Sequence, residues 1–367
     1  MKLIHCADIH LDSPLSANLE GDKKKLRKTE LLQTFLRMVD YAEKKQVAAI
    51  LIAGDLFDTK KVSKTVRNAV YDAIVNHPQL SFFYLRGNHD AESFLRALDT
   101  VPDNLKLFSD SWTSYTLEED GNTLAITGAE LFGDNAQSLY SSLVLDNNRM
   151  NIVMLHGQEM QYQGKDKTEM INLPALKGKG IDYLALGHIH AYKRAPLDAR
   201  GVYAYCGCLE GRGFDECGEH GFIELDVDFE NKKIVDTFVP FASRNLYTIP
   251  VDVSGCESTS EVQQVISKTL AEQKIADIHM VKLVLCGNVS VDSERDISLL
   301  TNTCADNFFF VKIYDETKLA VDYEMYTHDE SLKGEFVRQV QASGLDEDEK
   351  AEIIRTGILA LAGEEFV

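Results

Sequence analysis

Short apolar runs alternate with helical patterns along the first part of the chain. The runs at residues 2–7, 47–53 and 80–85 are of the kind that form strands buried on both faces. Between them, apolar residues recur at helical spacing, as in the series Leu31, Phe35 and Val39. The pattern predicts a β-α-β-α-β start, which favours an α/β fold with a parallel sheet.

The pattern continues and then restarts after Arg244. The next expected elements are strand-like runs at 123–127, 151–155 and 181–186 and a hairpin-rich stretch at about 202–239. After the restart we expect strand 246–253, helix 259–273, strand 278–286, helix 293–304 and strand 308–314. Two amphipathic patterns, around Leu332 and Ile353, follow in an acid-rich tail. We therefore expect a main domain at 1–245, a small α/β cap domain at 246–320 and a helical tail at 321–367.

Composition narrows the class of protein. The chain has 367 residues, of which 44% are hydrophobic and 26% charged, and this is typical of a soluble globular protein of about two domains. The formal net charge is -20, with -7 in residues 1–245 and -13 in residues 246–367. A strongly basic nucleic-acid-binding protein is not what this composition predicts. The concentration of acid in the last third indicates two parts with different partners.

The lack of membrane-spanning and secretory signal patterns, together with the cysteine usage, predicts a cytoplasmic protein without membrane association. The sequence has no apolar run near the roughly 18–20 residues that span a bilayer, and the N-terminus lacks a secretory signal pattern. Its seven cysteines are an odd number, and most lie in apolar, strand-like surroundings. We therefore expect reduced thiols rather than disulfides.

Polar side chains collect where the predicted strands end. The residues concerned are Asp8, His10, Asp55, Asn88, His89, Asp90, His156, His188 and His190. Because loops at the carboxyl ends of strands converge on one crevice in an open α/β sheet, these side chains are expected to meet. A set of Asp, His and Asn without thiolate suits Mn, Fe, Zn or a similar divalent ion.

The local spacing supports that interpretation. In extended backbone, side chains two residues apart point the same way, so Asp8 and His10 could reach one ion, as could His188 and His190. Glycines at 54, 87, 157 and 187 stand beside these residues and fit tight strand-to-loop turns.

Taken in order, the motifs D-x-H, G-D-x-x-D, G-N-H-D, H-G and G-H-x-H resemble those of the calcineurin-like metallophosphoesterase superfamily. The layout of the whole chain resembles that of the DNA-repair exonucleases of the Mre11 and SbcD group. The features that carry this resemblance are the starting motif, residues 54–58, residues 207–214, the cap and the tail. The resemblance implies a two-sheet α/β sandwich flanked by helices, with 1–245 as the nuclease domain.

The resemblance also implies a ligand set for two divalent metal ions, with Mn²⁺ favoured and Fe, Zn and Mg as alternatives. One ion would be held by Asp8, His10, Asp55 and His190, and the other by Asp55, Asn88, His156 and His188. A carboxylate shared by both ions offsets their mutual repulsion, and paired ions activate water and neutralise charge on a phosphate.

His89 is the motif residue left outside that ligand set. The resemblance makes it the group that contacts the scissile phosphate and protonates the leaving oxygen, a task that suits an imidazole. Asp90 is expected to orient the ring by accepting its second proton. Asp12 and Asp58 are expected around this site or facing nucleic acid.

The activity implied is a 3′–5′ exonuclease and single-strand endonuclease in DNA repair. The partners implied are DNA and an SbcC- or Rad50-like coiled-coil ATPase that receives the tail helices, and a homodimer is allowed. Two alternatives stay open: a phosphatase or a small-molecule or nucleotide phosphodiesterase of the same superfamily, and a non-catalytic scaffold. The cap and tail weigh against the former, and the complete ligand set weighs against the latter.

Three further features have competing interpretations. Cys206, Cys208, Cys217 and His220 suggest zinc, but the one-residue spacing of the first pair is short for a structural site, so the metal interpretation is disfavoured. Arg86 either pairs with a nearby acid, which we favour, or contacts a phosphate. The basic cluster of Lys23, Lys24, Lys25, Arg27 and Lys28 is either a solvated helix start or a phosphate-binding surface.

Overall fold

The computed structural model describes residues 1–15, 19, 21–58, 62–90, 94, 100–131, 135–160, 170–290, 293–320 and 323–362. The chain forms two compact units, Met1–Asn245 and Leu246–Val367. Within the described part, none of the helices has both the length and the apolar character needed to cross a membrane.

The first unit contains fourteen described strands and four described helices. The strands are β1 Lys2–Cys6, β2 Ala49–Ala53, β3 Ser81–Leu85, β4 Leu105–Leu107, β5 Thr113–Glu119, β6 Asn122–Gly128, β7 Met150–His156, β8 Gln158–Glu159, β9 Met170–Ile171, β10 Tyr183–Gly187, β11 Lys193–Pro196, β12 Val202–Tyr205, β13 Gly221–Asp228 and β14 Lys233–Pro240. The helices are α1 Gly21–Lys44, α2 Lys64–Val75, α3 Ala136–Ser142 and α4 Leu173–Leu176.

Most of these strands form two six-stranded sheets. One sheet has the order β14-β13-β1-β2-β3-β4, and the other has the order β11-β12-β10-β7-β6-β5. Strands β1 to β4 run parallel to one another, and so do β6, β7, β10 and β12. The predicted α/β sandwich of two sheets flanked by helices is confirmed.

The two sheets enclose a shared apolar core. Leu51 and Phe83 of the first sheet lie in one cluster with Ile126, Met154 and Tyr183 of the second. Since successive strand residues point to opposite faces, the strands bury a second set of side chains against the flanking helices. Burial on both faces explains why the sequence shows continuous apolar runs rather than alternation.

Helix α1 covers the outer face of the first sheet. Its residues Phe35 and Met38 pack with Ile4, Ile50 and Phe82 in a second cluster. Full burial of a side chain such as Phe35 contributes about 1.5–3 kcal/mol. The parallel strands are thereby fixed with their carboxyl ends at one edge, where the loops that carry the polar motifs begin.

Strand β5 was not expected from the sequence. It is an edge strand paired in antiparallel fashion with β6, and its residues Thr113–Glu119 are exposed or only partly buried. An edge strand with one face in solvent needs few apolar residues, so it lacks the apolar run that identifies central strands.

The second unit contains a three-stranded parallel sheet, β15 Leu246–Asp252, β16 Met280–Cys286 and β18 Phe310–Asp315, with the short pair β17 Asn288–Ser290 and β19 Lys318–Ala320. Its helices are α5 Thr259–Gln273, α6 Ile297–Cys304, α7 Tyr323–Tyr326, α8 Leu332–Gln341 and α9 Glu347–Ala362. Helix α6 begins at Ile297 rather than near 293, because the Asp296 side chain accepts the Leu299 N–H (2.8 Å) as an N-cap. The tail helices α8 and α9 share an apolar cluster that includes Val337, Ile354 and Ile358.

Candidate metal centre

The loops that leave β1, β2 and β10 carry unusual backbone conformations at the motif residues. Asp8, His10, Asp55 and His188 have φ of +50°, +48°, +52° and +100°. Left-handed conformations cost non-glycine residues about 1–3 kcal/mol each and cluster at functional sites. The Asp8 N–H donates to Gly54 O (3.1 Å) and the His10 N–H to Asp55 O (2.9 Å), which holds these two loops together. The extended Asp-x-His backbone expected from the sequence is therefore wrong, although the side chains still converge.

The first cluster of ligand-type atoms comprises Asp8, His10 and His190. The Nε2 atoms of His10 and His190 lie 3.1 Å apart, and His190 Nε2 lies 4.0 Å from Asp8 Oδ1. Asp8 also accepts the backbone N–H of His188 through both carboxylate oxygens, at 2.9 and 3.0 Å. The loop after β10 is thereby joined to the loop after β1.

The second cluster comprises Asp8, Asp55 and His156. His156 Nε2 lies 3.5 Å from Asp55 Oδ2 and 3.1 Å from Asn88 Oδ1, and its ring centroid is 5.3 Å from that of His188. All seven predicted ligands thus meet at one edge of the sandwich. The structure groups Asp8 with both clusters, whereas the resemblance implied it for the first ion alone.

Asp55, a member of the second cluster, also lies close to His10 of the first. Its Oδ2 atom is 3.5 Å from His156 Nε2 and 3.8 Å from His10 Nε2, and the side chain is buried. Burial would raise the pKa of Asp55, but His156 and His10 outweigh it and hold that pKa below its usual range. Asp55 is therefore an ionised carboxylate placed to serve both sides.

The donor chemistry of the clusters fits divalent cations. His156 Nδ1 lies 2.9 Å from the Ala53 carbonyl oxygen, which can only accept, so this nitrogen carries a proton. Its Nε2 faces oxygens of Asp55 (3.5 Å) and Asn88 (3.1 Å), so this side of the ring needs either a second proton or a metal cation between them. The Gly87 backbone packs tightly against two of these ligands. A Cβ at Gly87 would overlap Asp55 Oδ1 and stand 2.7 Å from His156 Nε2.

His89 stands beside these clusters with a partner of its own. Its Nδ1 atom lies 3.1 Å from Asp58 Oδ1, and its side chain is 49% exposed, whereas His10 and His156 are buried. The hydrogen bond to Asp58 raises the pKa of His89. Asp58 also accepts the Ser13 hydroxyl (2.6 Å) and lies 3.5 Å from His10 Nδ1. Asp58 thus holds the His89 imidazole at the exposed side of the site.

The family model described as calcineurin-like phosphoesterase matches residues 1–192, which is more than half of the chain. This chain belongs to the calcineurin-like phosphoesterase family. A phosphoesterase of this family is a metal-dependent hydrolase, which agrees with the clusters that could hold metal ions.

Three curated relatives of this phosphoesterase show how far the similarity extends. It is 27% identical over 305 residues to an uncharacterized metallophosphoesterase, YhaO, of Bacillus subtilis (strain 168), covering 78% of this chain and 72% of the relative. It is 27% identical over 223 residues to the DNA double-strand break repair protein Mre11 of Sulfolobus acidocaldarius, covering 56% of this chain and 54% of that one. The D subunit of the nuclease SbcCD of Escherichia coli (strain K12) is 25% identical over 276 residues, with 64% and 66% coverage. The match thus spans from about half to nearly three quarters of these relatives.

Among solved structures, TT1561 of Thermus thermophilus matches with a TM-score of 0.42 at 14% identity, covering 65% of this chain and 98% of that one. A likeness at this level adds nothing on activity.

In this phosphoesterase Asp90 does not orient His89, contrary to the expectation from the sequence. Its carboxylate accepts the backbone N–H groups of Phe57 (2.8 Å), Gly87 (3.0 Å) and Leu56 (3.3 Å). Burial and the charge of Asp55 raise the pKa of Asp90 to about 7. Asp90 therefore ties the loop after β3 to the loop after β2, and Asp58 takes the role that the sequence assigned to Asp90.

Arg212 and Glu216 belong to the site and were not predicted from the motifs. Glu216 Oε1 lies 2.7 Å from His190 Nδ1, and Arg212 donates to both Glu216 (2.9 Å) and Asp58 (3.1 Å). The available signal was the stretch 207–214, which supported the resemblance but was not assigned to the metal centre.

Arg86 follows the favoured expectation. It donates to Glu130 through Nε (2.9 Å) and Nη2 (2.6 Å), and Glu130 is buried. This bidentate ion pair lies directly before the Gly87–Asp90 loop and helps to fix it.

The cysteines do not form a zinc site within the part of the chain that the structure describes. The groups with metal-binding geometry there are the two clusters above and a third made of His10, Asp58 and His89, and none includes a cysteine. Cys208 Sγ instead lies 3.2 Å from His220 Nδ1, and Cys217 is exposed.

The basic cluster at the start of α1 divides into two groups. Arg27 is buried and donates to Glu30 (2.6 Å) and Glu210 (3.0 Å), so it belongs to the interior. Lys23, Lys25 and Lys28 are exposed, and Lys24 is partly buried. Phosphate contact therefore stays open for the exposed lysines and not for the buried Arg27.

Proposed function

We propose that this chain is a binuclear-metal phosphodiesterase that acts on DNA, similar to the nuclease subunits Mre11 and SbcD. The observation that carries the proposal is the place of Asp55, with one oxygen 3.8 Å from His10 Nε2 and 3.5 Å from His156 Nε2. A carboxylate between two histidine clusters is the arrangement that paired ions require.

The proposed ligands are Asp8, His10, Asp55 and His190 for one ion and Asp55, Asn88, His156 and His188 for the other. When bound, the ions supply Lewis-acid activation of water and neutralisation of phosphate charge, and Mn²⁺ is the proposed metal. The chain itself orients the ligands. The Ala53 carbonyl sets the tautomer of His156, and Glu216 sets that of His190.

His89 is the proposed general acid. It is the half-exposed imidazole of the site, so a phosphodiester bound at the centre can reach it, and Asp58 accepts from its Nδ1 atom. That hydrogen bond leaves Nε2 as the position from which a proton can pass to the leaving oxygen. Asp58 stabilises the protonated ring and fixes its plane.

DNA is proposed as the substrate because relatives with matching sequence are a DNA double-strand break repair protein and a nuclease subunit. The proposed activities are 3′–5′ exonuclease and single-strand endonuclease. The proposed partner is an SbcC- or Rad50-like coiled-coil ATPase that binds the tail helices α8 and α9. Exposed apolar side chains on these helices, including Leu332 and Ile353, are suited to such a contact.

The test compares substrates under one metal condition. The full chain is assayed in Mn²⁺ with end-labelled duplex DNA, single-stranded circles and bis(p-nitrophenyl) phosphate, and with EDTA as the metal-free control. The proposal expects Mn-dependent cleavage of DNA with a higher kcat/KM than for the small diester. A preference for small phosphodiesters or monoesters would assign the chain to the alternative class, and EDTA-resistant cleavage would contradict the metal assignment.

A further inference from the structure

Two carboxylates of the site each hold one histidine, and a single arginine joins them. Asp58 Oδ1 lies 3.1 Å from His89 Nδ1, and Glu216 Oε1 lies 2.7 Å from His190 Nδ1. Arg212 donates from Nη1 to Asp58 Oδ2 (3.1 Å) and from Nη2 to Glu216 Oε1 (2.9 Å). The proposed acid and one proposed metal ligand are therefore connected through one guanidinium.

We propose that Arg212 is a positioning residue that fixes the spacing between the His89 imidazole and the His190 side of the metal centre. The inference rests on the proposed metal assignment and adds to it a residue that touches neither substrate nor metal. Its effect is transmitted through Asp58 and Glu216, and Nη2 also lies 3.3 Å from His190 Nδ1.

The proposed positioning role depends on the shape of the Arg212 guanidinium. A guanidinium is a planar fork whose two Nη atoms can serve two carboxylates at once, whereas an ammonium is a point donor on a flexible stem. Asp58 and Glu216 side chains are only 11% and 6% exposed, so water cannot easily replace the fork. The Arg212 backbone N–H also donates to Glu216 Oε2 (2.7 Å), which fixes that carboxylate from a second direction.

The loop that carries Arg212 is anchored independently of this network. Glu210, two residues earlier, is buried and accepts from Arg27 Nη2 (3.0 Å), Thr34 Oγ1 (2.7 Å) and the Ser243 backbone N–H (2.5 Å). Removing the Arg212 side chain should therefore leave the loop in place while freeing the two carboxylates. A positioning role can then be separated from a structural one.

The matched control is Arg200. Its guanidinium also forms a fork on a carboxylate, with Nε at 2.8 Å and Nη2 at 2.9 Å from Asp182, but it contacts no residue of the metal centre. Arg200→Lys thus removes a two-point guanidinium contact with a single carboxylate elsewhere in the same unit.

The experiment titrates Mn²⁺ into metal-free full-length wild type, R212K, R212A and R200K by calorimetry, and assays each on bis(p-nitrophenyl) phosphate at saturating Mn²⁺. For R212K we expect about 10- to 100-fold weaker binding at one of two Mn sites and a kcat lower by about 10- to 100-fold. The KM should stay within about twofold, since the arginine contacts no substrate. Added guanidinium, but not ammonium, should restore part of the activity of R212A.

Several outcomes would overturn the inference. R212K with both Mn affinities and kcat equal to those of R200K would do so, as would losses that simply follow a lower melting temperature of the metal-free chain. If R212A does not fold, R212K decides. A wild-type chain that binds no Mn²⁺ would refute the proposed metal assignment and the role of Arg212 with it.

Discussion

Asp58 Oδ1 lies 3.1 Å from His89 Nδ1 and 3.5 Å from His10 Nδ1. One carboxylate oxygen therefore joins a half-exposed imidazole, open to a bound phosphodiester, to a buried imidazole of the metal clusters. Burial would raise the pKa of Asp58, but the nearby His10 ring and the contacts with His89 and Ser13 hold that pKa below its usual range. The carboxylate stays ionised between the two rings.

The first prediction concerns His89. We expect His89→Ala to lower kcat by about 10²- to 10⁴-fold, the contribution typical of a general acid, and to leave two Mn²⁺ ions bound. Turnover and metal content are measured on the same preparation. Exposed His328 supplies the matched control His328→Ala, which should change neither quantity. Loss of metal in the His89 variant would contradict its position outside the ligand set.

The second prediction concerns Gly87. A Cβ there would overlap Asp55 Oδ1 and come within 2.7 Å of His156 Nε2, so the ligands must move apart. We expect Gly87→Ala to weaken Mn²⁺ binding and to lower kcat by about 10²-fold, as small displacements of catalytic groups do. Gly344→Ala is the control, because nothing lies within 4 Å of its Cβ position. If Gly87→Ala bound Mn²⁺ as tightly as wild type, close packing of Gly87 against Asp55 and His156 would be contradicted.

The third prediction concerns the tail. Helices α8 and α9 pack on each other through their own apolar cluster, which includes Val337 and Ile354. Truncation after residue 328 should therefore leave kcat on a small phosphodiester unchanged and abolish association with an SbcC- or Rad50-like ATPase. Co-purification with the ATPase measures the association. Equal recovery of the ATPase with the truncated and full chains would refute the proposed contact.

The fourth prediction concerns pH and stability. Burial would raise the pKa of Glu30, but hydrogen bonds from Arg244 (2.7 Å) and Arg27 (2.6 Å) outweigh it and lower that pKa. A depressed native pKa means that the stabilisation is complete above the ordinary pKa near 4.5 and is lost as the pH falls through the native value. We expect Glu30→Gln to cost about 1.5–3 kcal/mol in the free energy of unfolding at pH 7.

The measurement for Glu30 is urea unfolding of wild type and Glu30→Gln from pH 7 to pH 3. The difference between the two chains should shrink toward the acid end, because the wild-type carboxyl becomes protonated there. A difference that stays constant across the range would indicate that charge at Glu30 contributes nothing.

The ligand residues could be predicted from sequence because they follow strands whose positions the apolar runs reveal. Asp8, Asp55, Asn88, His156 and His188 each stand within about three residues of the end of such a run. Neighbouring parallel strands place those ends at one edge of the sheet. Residue type and position together were therefore sufficient to predict the candidate ligands.

The choice between Asp58 and Asp90 as the partner of His89 could not be predicted in this way. Both acids follow a strand end and both lie near the site. Which carboxylate faces the ring depends on loop backbone such as the left-handed conformation at Asp55, and local sequence does not specify it. The roles of Arg212 and Glu216 were harder still to predict, because these residues contact side chains up to 154 positions away in the sequence.

The measurement that tests the account most directly is the Mn²⁺ stoichiometry of wild type and Asp55→Ala. Because Asp55 Oδ2 lies between His10 and His156, we predict two ions per wild-type chain and the loss of both together in the variant. Equilibrium titration of the metal-free chains gives both numbers. Retention of one ion at full occupancy in Asp55→Ala would contradict a carboxylate shared between two metals.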